Sequence, residues 1–468
     1  MPSETHSKDL SGYFTEATRL RDNSPLKSLT KYMQNDPTLV SLGAGLPHPS
    51  TFPLAQLSAT VAQAGRSVLD TTAPHTTLSI TAGQPSGGAV EGLEKFLQYG
   101  NGRGVPSYAS FARTHTESVH RPRYSDWDVV VSAGNTDAFV KALMLFCQAG
   151  DTLLLDEWTY PAIIGTVVPM GVRMAPVPMD GEGMVPEALD KMLSGWSEAE
   201  QGRRPRVAYV IPTAQNPTGA TMSLARKQAL YRVAQRHDLV LIEDDPYYYL
   251  QFGAYMDPAT VTDASERYAG LPGLSALQPS LLSLDTDGRV IRLDSFSKVL
   301  APGLRCGWVT CPRYMADKIQ FHNETSVQQP SGLSQALVSQ LLTVDWGHEG
   351  WERHLVQTQR EYAVRRDLFV DLCREKLKGL VDFVVPDAGM FVWFRVLLGE
   401  KSRARAGVMD EVFEAMVKAH VLLVPGRMFS PAGVRDSPYM RAAFSYASPE
   451  DLAVAVERLQ QALRPFTE

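Results

Sequence analysis

Asp294-Ser295-Phe296-Ser297-Lys298, followed by Gly303-Leu304-Arg305, is the stretch that decides the reading of this chain. Upstream, Arg289-Val290-Ile291-Arg292-Leu293 alternates as a strand does, and Pro302-Gly303 breaks the chain before a second strand predicted over Leu304 to Cys311. The serines and the lysine therefore fall where a strand ends. Two hydroxyls and a guanidinium can hold a phosphate dianion, the guanidinium through a forked, charge-assisted contact. A primary amine can condense with an aldehyde. One cofactor carries both groups, pyridoxal 5′-phosphate. Ser-x-Ser-Lys alone is common in surface loops, so the reading turns on whether the chain supplies partners for the ring.

Working outward, strands and helices alternate from Asp126 onward, which predicts an α/β fold with a mainly parallel sheet. Strands are expected at Trp127 to Val131, Asp151 to Leu155, Pro205 to Ile211 and Leu239 to Ile242. Ser132-Ala133-Gly134-Asn135-Thr136-Asp137 opens a helix over Ala138 to Cys147. Backbone N–H groups at such a start attract anions, and Asn135 and Thr136 add side-chain donors, although plain N-capping explains the same residues. Asp156-Glu157-Trp158-Thr159-Tyr160 puts an aromatic at a strand's C-terminal end, where open α/β sheets bind ligands and a planar ring can be stacked. After about residue 315 the pattern turns helical, with a long amphipathic run over Gly350 to Lys378. A smaller α/β unit follows: strands at Phe383 to Val385, Gly389 to Val396, Val421 to Pro425 and Met440 to Phe444, and helices near Met409 to Lys418 and Pro449 to Leu463. Residues 1–40 read as a mostly helical arm with Leu26, Leu29 and Met33 on one side. Ser41 to Pro49 is a Gly/Pro loop in which Gly45 lets backbone approach a ligand. Residues 67–90, rich in Thr, Ser, Gly and Pro, read as irregular, and Gly253 to Pro279 as a long connection.

Composition bounds the function. A chain of 468 residues is long for one core, so two domains sharing a cleft are expected. Hydrophobic content of 44% and charged content of 21% are ordinary for a soluble enzyme, and a formal charge of -6 argues against a nucleic-acid surface. No apolar run approaches the length that spans a bilayer, Met1 to Leu10 lacks the apolar core of a secretory signal, and the last four residues match no sorting address. Four cysteines without CxxC spacing or nearby histidine clusters indicate no metal site and no disulfide framework, and a reducing, cytoplasmic setting is the simplest expectation.

Three strand ends now carry related chemistry: Asn216 in Pro212 to Gly219, Asp244 with Tyr247, and Ser295 to Lys298. In a parallel sheet such ends lie along one edge, so the side chains can converge. Pyridoxal chemistry needs a carboxylate for the pyridine nitrogen, which Asp244 offers, and donors for the phenolate oxygen, which Asn216 and Tyr247 offer. Lys298 would hold the cofactor and then shuttle the substrate Cα proton. Singly, Asp244 reads as an N-cap, Asn216-Pro217 as a turn and Tyr247 as a core aromatic; jointly and in this order, chance explains them poorly.

On these motifs the chain resembles the fold-type-I pyridoxal-phosphate aminotransferases, and within them the kynurenine/2-aminoadipate and fungal aromatic amino-acid group. The matching segments are Asn216-Pro217-Thr218-Gly219, Glu243-Asp244-Asp245-Pro246-Tyr247-Tyr248, and Ser295-Phe296-Ser297-Lys298 with Arg305. The resemblance runs from Pro25 to the end. It implies an N-terminal arm and substrate loop (1–60), a large cofactor-binding domain (61–345) and a small C-terminal domain (346–468). It implies that Gly134, Asn135 and Thr136 bind phosphate, that Tyr160 stacks on the ring, and that Arg441 grips the substrate α-carboxylate. A tyrosine matching Tyr99 reaches the neighbouring subunit's phosphate in relatives, so a homodimer is expected. Phe391 falls near where an aromatic substrate side chain would lie. Lys27 stands where relatives often carry arginine near the substrate side chain; lacking the planar fork, it weakens the case for an acidic substrate. The expected reaction is amino transfer from an aromatic amino acid, kynurenine or 2-aminoadipate to a 2-oxo acid such as 2-oxoglutarate. The rival readings are a lyase, decarboxylase or specialised biosynthetic enzyme on the same scaffold and, more remotely, a cofactor-binding regulator.

Overall fold

The structure is a computed structural model that describes residues 5–27, 32, 35, 36, 38–43, 45–83, 90–260, 266–268 and 271–467. Among these, fifteen strands make four sheets. In chain order they are β1 (Gln56–Ala62), β2 (His75–Thr81), β3 (Trp127–Ser132), β4 (Thr152–Asp156), β5 (Arg173–Val177), β6 (Met179–Asp180), β7 (Gly183–Met184), β8 (Val207–Val210), β9 (Val240–Asp244), β10 (Val290–Ser295), β11 (Gly307–Pro312), β12 (Val381–Asp382), β13 (Phe391–Val396), β14 (Val424–Pro425) and β15 (Tyr439–Ala443).

Seven of them form a mixed sheet in the order β3-β11-β10-β9-β8-β4-β5. β10 runs parallel to β9, and β4 runs parallel to β5 and β8; β11 alone is antiparallel to its neighbours β10 and β3. Every residue of β4, β8, β9, β10 and β11 is buried, as expected when helices cover both faces of a parallel sheet and the strands become continuous apolar runs. That is why the strand ends were legible from sequence.

The chain divides into two compact units, Met1–Gln148 with Val240–Pro246 and Pro279–Gln357, and Ala149–Leu239 with Tyr247–Gln278 and Thr358–Glu468. In the first, register lines up one row of strand ends: Ser295 faces Gly307, Gly307 faces Ser132, and Leu293 faces Asp244. In the second, the order β12-β13-β15-β14 sets Arg441 opposite both Trp393 and Val424. The amphipathic helices Val408–Lys418 and Pro449–Thr467 cover that sheet, and their apolar sides supply Val412, Met416, Leu452, Val456 and Leu459 to its core. All four cysteines are buried, and burial pushes the thiols of Cys306, Cys311 and Cys373 up, Cys306 to about 12. Among the described residues no helix is long and apolar enough to cross a membrane.

Several sequence expectations need correction. Residues 67–90 are not irregular throughout: β2 pairs with β1 along its whole length, and Leu78 and Ile80 bury one side of a strand whose Thr and Ser content had disguised it. Residues 84–89 of that segment lie outside the described residues. Helix covers only part of the described residues of the arm up to residue 27. The arm shows a turn at Ser11–Tyr13 and a five-residue helix, Glu16–Leu20, because its polar groups are tied to other parts of the chain: Ser7 to Asp126, and Thr15 and Thr18 to the Met144 carbonyl. Leu29 and Met33 lie outside the described residues. The strand after Pro302 starts at Gly307, since Pro302–Leu304 forms a turn and Arg305 takes a left-handed φ of 51°. The strand expected at Phe383 to Val385 is instead Val381–Asp382, which pairs with Val396 and Arg395. The helices Pro106–Val119 and Pro161–Val167 escaped the sequence reading.

Charges inside otherwise apolar strands form one closed network. The Arg292 guanidinium lies 2.9 Å from Asp294, 3.2 Å from Glu243 and 3.3 Å from Asp245, with all four side chains out of contact with water. Burial raises the Asp294 pKa, and Arg292 opposes that rise. Removing the cation strands three carboxylates, so Arg292→Met is expected to cost about 3–5 kcal/mol of stability. A denaturant midpoint within error of the parent would exclude a structural role for the network.

Candidate active site

In the first unit the quoted stretch is held by an aromatic anchor. Phe296 is buried, with ring centroids 5.4 Å from Trp308, 5.5 Å from Trp351 and 6.0 Å from Tyr108. This fixes the short turn Phe296–Lys298 directly after β10. Ser295 Oγ caps that turn by accepting the Ser297 N–H at 3.1 Å, and the two hydroxyl oxygens lie 2.7 Å apart. Lys298 ends the turn, half-buried.

Arg305 closes over the same place. Its Nη2 donates to the Ala133 carbonyl at 2.7 Å and its Nη1 to Ser297 Oγ at 3.3 Å and the Pro302 carbonyl at 3.0 Å. Gly134, with φ of 91°, precedes the helix Asn135–Phe146, and a Cβ on it would stand 2.4 Å from Arg305 Nη2. Gly307 is as confined: its Cβ would meet the Asp294 carbonyl at 2.5 Å and Gly134 Cα at 3.2 Å. Ser295, Ser297 and Arg305 thus lie within hydrogen-bond reach of one another beside the start of the helix that carries exposed Thr136, donors of the kind a phosphate uses. Asn135 departs from this pattern. Its amide donates to Asp244 Oδ1 at 2.7 Å and to the Leu293 carbonyl at 3.0 Å, while its buried Oδ1 has no partner among the described residues. Asp244, the last residue of β9, is 5% exposed.

The second unit holds the other group. Arg441 donates to Asn216 Oδ1 at 2.7 Å, and its guanidinium carbon lies 4.2 Å from the Phe391 ring centre and 5.0 Å from that of Phe429. Burial lowers its pKa, no carboxylate among the described residues pairs with it, and its buried Nε has no acceptor. A desolvated cation with an open donor, seated between aromatic rings, is prepared for an anion. Tyr247 packs edge-on against Phe391 at 5.8 Å and, like Asn216, is 4% exposed. Asn216 precedes Pro217 through a cis bond, and Gly219, with φ of 74°, lets the turn approach the Phe391 carbonyl. Tyr160 precedes the helix Pro161–Val167.

Of the remaining expected residues, Lys27 is spent within the first unit: its Nζ donates to the Gly100 carbonyl at 2.8 Å and the Gln328 carbonyl at 3.3 Å, and burial lowers its pKa. Tyr99 is 61% exposed, and Gly45 lies in an open stretch. Sequence reasoning missed Phe429 and the buried Asp156. Burial pushes Asp156 up to about 7, and its Oδ2 accepts a hydrogen bond from Gln215 Nε2 at 3.1 Å. A carboxylate ending an all-apolar strand was the available signal for Asp156; nothing in the local sequence marks Phe429.

Hydroxyls and a guanidinium gathered where a strand ends in a lysine, on a mixed sheet of this order, match what a pyridoxal-phosphate enzyme needs, and the comparisons give the family. Residues 94–459 match the profile of aminotransferase class I and II. An aromatic amino acid aminotransferase of Schizosaccharomyces pombe is 35% identical over 465 residues, covering 97% of this chain and 95% of its own. An L-tyrosine:2-oxoglutarate aminotransferase of Serpula lacrymans is 33% identical, covering 93% and 86%. The crystal structure of the aminotransferase Aro8 from Candida albicans superposes with a TM-score of 0.88 at 33% identity over 99% of both chains. The chain belongs to the class I and II aminotransferases, and it is a pyridoxal-phosphate-dependent enzyme.

The residues present fit the cofactor: two hydroxyls and a guanidinium lie together beside a helix start, and a Cβ on Gly134 would displace that guanidinium. Gly134→Ala is expected to push Arg305 off Ala133 and Ser297 and to weaken pyridoxal phosphate binding at least about tenfold, roughly 1.4 kcal/mol, with the far-ultraviolet circular dichroism unchanged. Unaltered affinity in a fluorescence titration would detach this cradle from the phosphate.

Proposed function

We propose that the chain transfers the α-amino group of an aromatic amino acid to a 2-oxo acid such as 2-oxoglutarate. The observation that carries this reading is Arg441, a desolvated guanidinium with an open donor lying flat against Phe391 and beside Phe429. Its fork suits a substrate carboxylate, and the rings beside it suit an aromatic side chain more than a charged one. Lys27, already satisfied by two backbone carbonyls, offers little to an acidic side chain, which supports aromatic donors over 2-aminoadipate. The names of the Schizosaccharomyces and Serpula relatives support the same class.

The remaining roles follow from chemistry. Pyridoxal phosphate supplies, when bound, the aldehyde that receives the amino group and the ring that draws electrons from the substrate Cα. Gly134, Asn135 and Thr136 bind the phosphate at the helix start, Asn135 through its backbone N–H, together with Ser295, Ser297 and Arg305. Asp244 keeps the ring nitrogen protonated as an ion pair, Tyr160 stacks on the ring, and Asn216 and Tyr247 donate to its phenolate oxygen. Lys298 anchors the cofactor and carries the proton at the substrate Cα. Phe391, Gly45 and Lys27 border the substrate. The enzyme works in the cytoplasm as a homodimer, in which the exposed Tyr99 of each chain serves the neighbouring phosphate. A monomeric mass in sedimentation would remove Tyr99 from the site.

With 2-oxoglutarate as acceptor, tyrosine, phenylalanine, tryptophan or kynurenine should exceed 2-aminoadipate in kcat/KM, with one glutamate formed per donor consumed. Arg441→Leu should raise the KM for every donor about 10–100-fold, the value of a lost charge-assisted contact, and Lys298→Ala should abolish turnover. Release of carbon dioxide or ammonia in place of glutamate would turn the assignment to a decarboxylase or lyase.

A further inference from the structure

The amide of Asn135 is fully committed as a donor. One N–H goes to Asp244 Oδ1 at 2.7 Å and the other to the Leu293 carbonyl at 3.0 Å. Carboxylate and carbonyl oxygens only accept here, so the amide nitrogen must face them, and the remaining Asn135 Oδ1 is an acceptor. An acceptor is the wrong group to offer a phosphate, whatever the backbone N–H groups beside it do. Leu293 and Asp244 are register partners on the parallel strands β10 and β9, so one side chain ties the carboxylate to the neighbouring strand's backbone.

We infer that Asn135 is a positioning residue for Asp244: it fixes the orientation of that carboxylate and favours its ionised form, rather than holding the phosphate with its side chain. The inference rests on the reading of Asp244 as partner of the ring nitrogen. An N–H pointing at Oδ1 leaves no room for a proton on that oxygen, so the contact stabilises the charged state. The surroundings make such help necessary. Glu243 precedes Asp244 on β9 and Asp245 follows directly after it, Asp294 sits on β10 with Arg292, and the charge of Asp244 helps to raise the Asp294 pKa. His120 lies 4.0 Å from Asp294, Asp137 and Lys141 pair on the helix that carries Asn135, and Lys298 follows β10. Carboxylates crowded in this way take up protons unless individual donors oppose it.

The test is a pH titration of the visible absorption of the bound cofactor in the holoenzyme, for the parent, N135S, N135D and D244N. It is paired with affinities for pyridoxal phosphate and for pyridoxal, which lacks the phosphate. Serine is too short to reach Asp244, so N135S should displace the absorption titration by about half a unit or more and lower kcat about tenfold, with the donor KM within about twofold. N135D, which sets a carboxylate against a carboxylate, should shift the titration further. Affinities for pyridoxal and pyridoxal phosphate should fall by the same factor. Far-ultraviolet circular dichroism qualifies each variant, and either folded substitution decides. Parental behaviour in N135S or N135D beside a displaced D244N titration would overturn the inference and leave Asp244 in its role. A D244N titration identical to the parent's would overturn the role of Asp244 itself. Loss of affinity confined to pyridoxal phosphate would return the Asn135 side chain to the phosphate and refute the inference.

Discussion

The structure around the lysine depends on how closely three backbone segments approach one another. Register sets Gly307 between Ser295 and Ser132, where a Cβ would meet the Asp294 carbonyl and the Gly134 backbone, and Gly134, at a φ of 91°, faces the Arg305 guanidinium. Only under that condition can Arg305 reach from its left-handed position to both Ala133 and Ser297. A single methyl group at Gly134 contests the space of the guanidinium, so the donors beside Lys298 are an outcome of backbone proximity as much as of side-chain identity.

Charge management is the second theme. Strands that are buried throughout nevertheless carry Glu243, Asp244, Asp245, Arg292 and Asp294. Strand alternation separates them: Glu243, Asp245, Arg292 and Asp294 bind one another, while Asp244 turns to Asn135. The network with Arg292 is satisfied internally, anion against cation. Arg441 is the converse, a cation kept among rings without an internal anion.

Much of this was legible in the sequence because parallel strands advertise themselves. Leu153 to Leu155, Val240 to Ile242 and Val290 with Ile291 are apolar on both faces, so the ends of β4, β9 and β10, and with them Asp244 and Ser295 to Lys298, could be placed within a residue or two. β2 was hidden because threonine and serine serve strands and loops alike, and only Leu78 and Ile80 carry the alternation. The acceptors chosen by Asn135 were hidden for a different reason. A sequence names a donor but not its direction, and here the direction depends on the pairing of β9 with β10. The two carbonyls that occupy Lys27 come from residues far along the chain, which local pattern does not connect.

The buried cysteines carry a consequence of their own. Cys306 and Cys311 flank and enter β11, Cys147 closes the helix that starts at Asn135, and Cys373 lies in the core beneath β13. Thiols pushed up by burial present almost no thiolate, so oxidants and alkylating agents find little to attack while the fold is closed. Those of Cys306, Cys311 and Cys373 thereby act as built-in clocks: the pace at which each becomes modified reports how often its own part of the molecule breathes open.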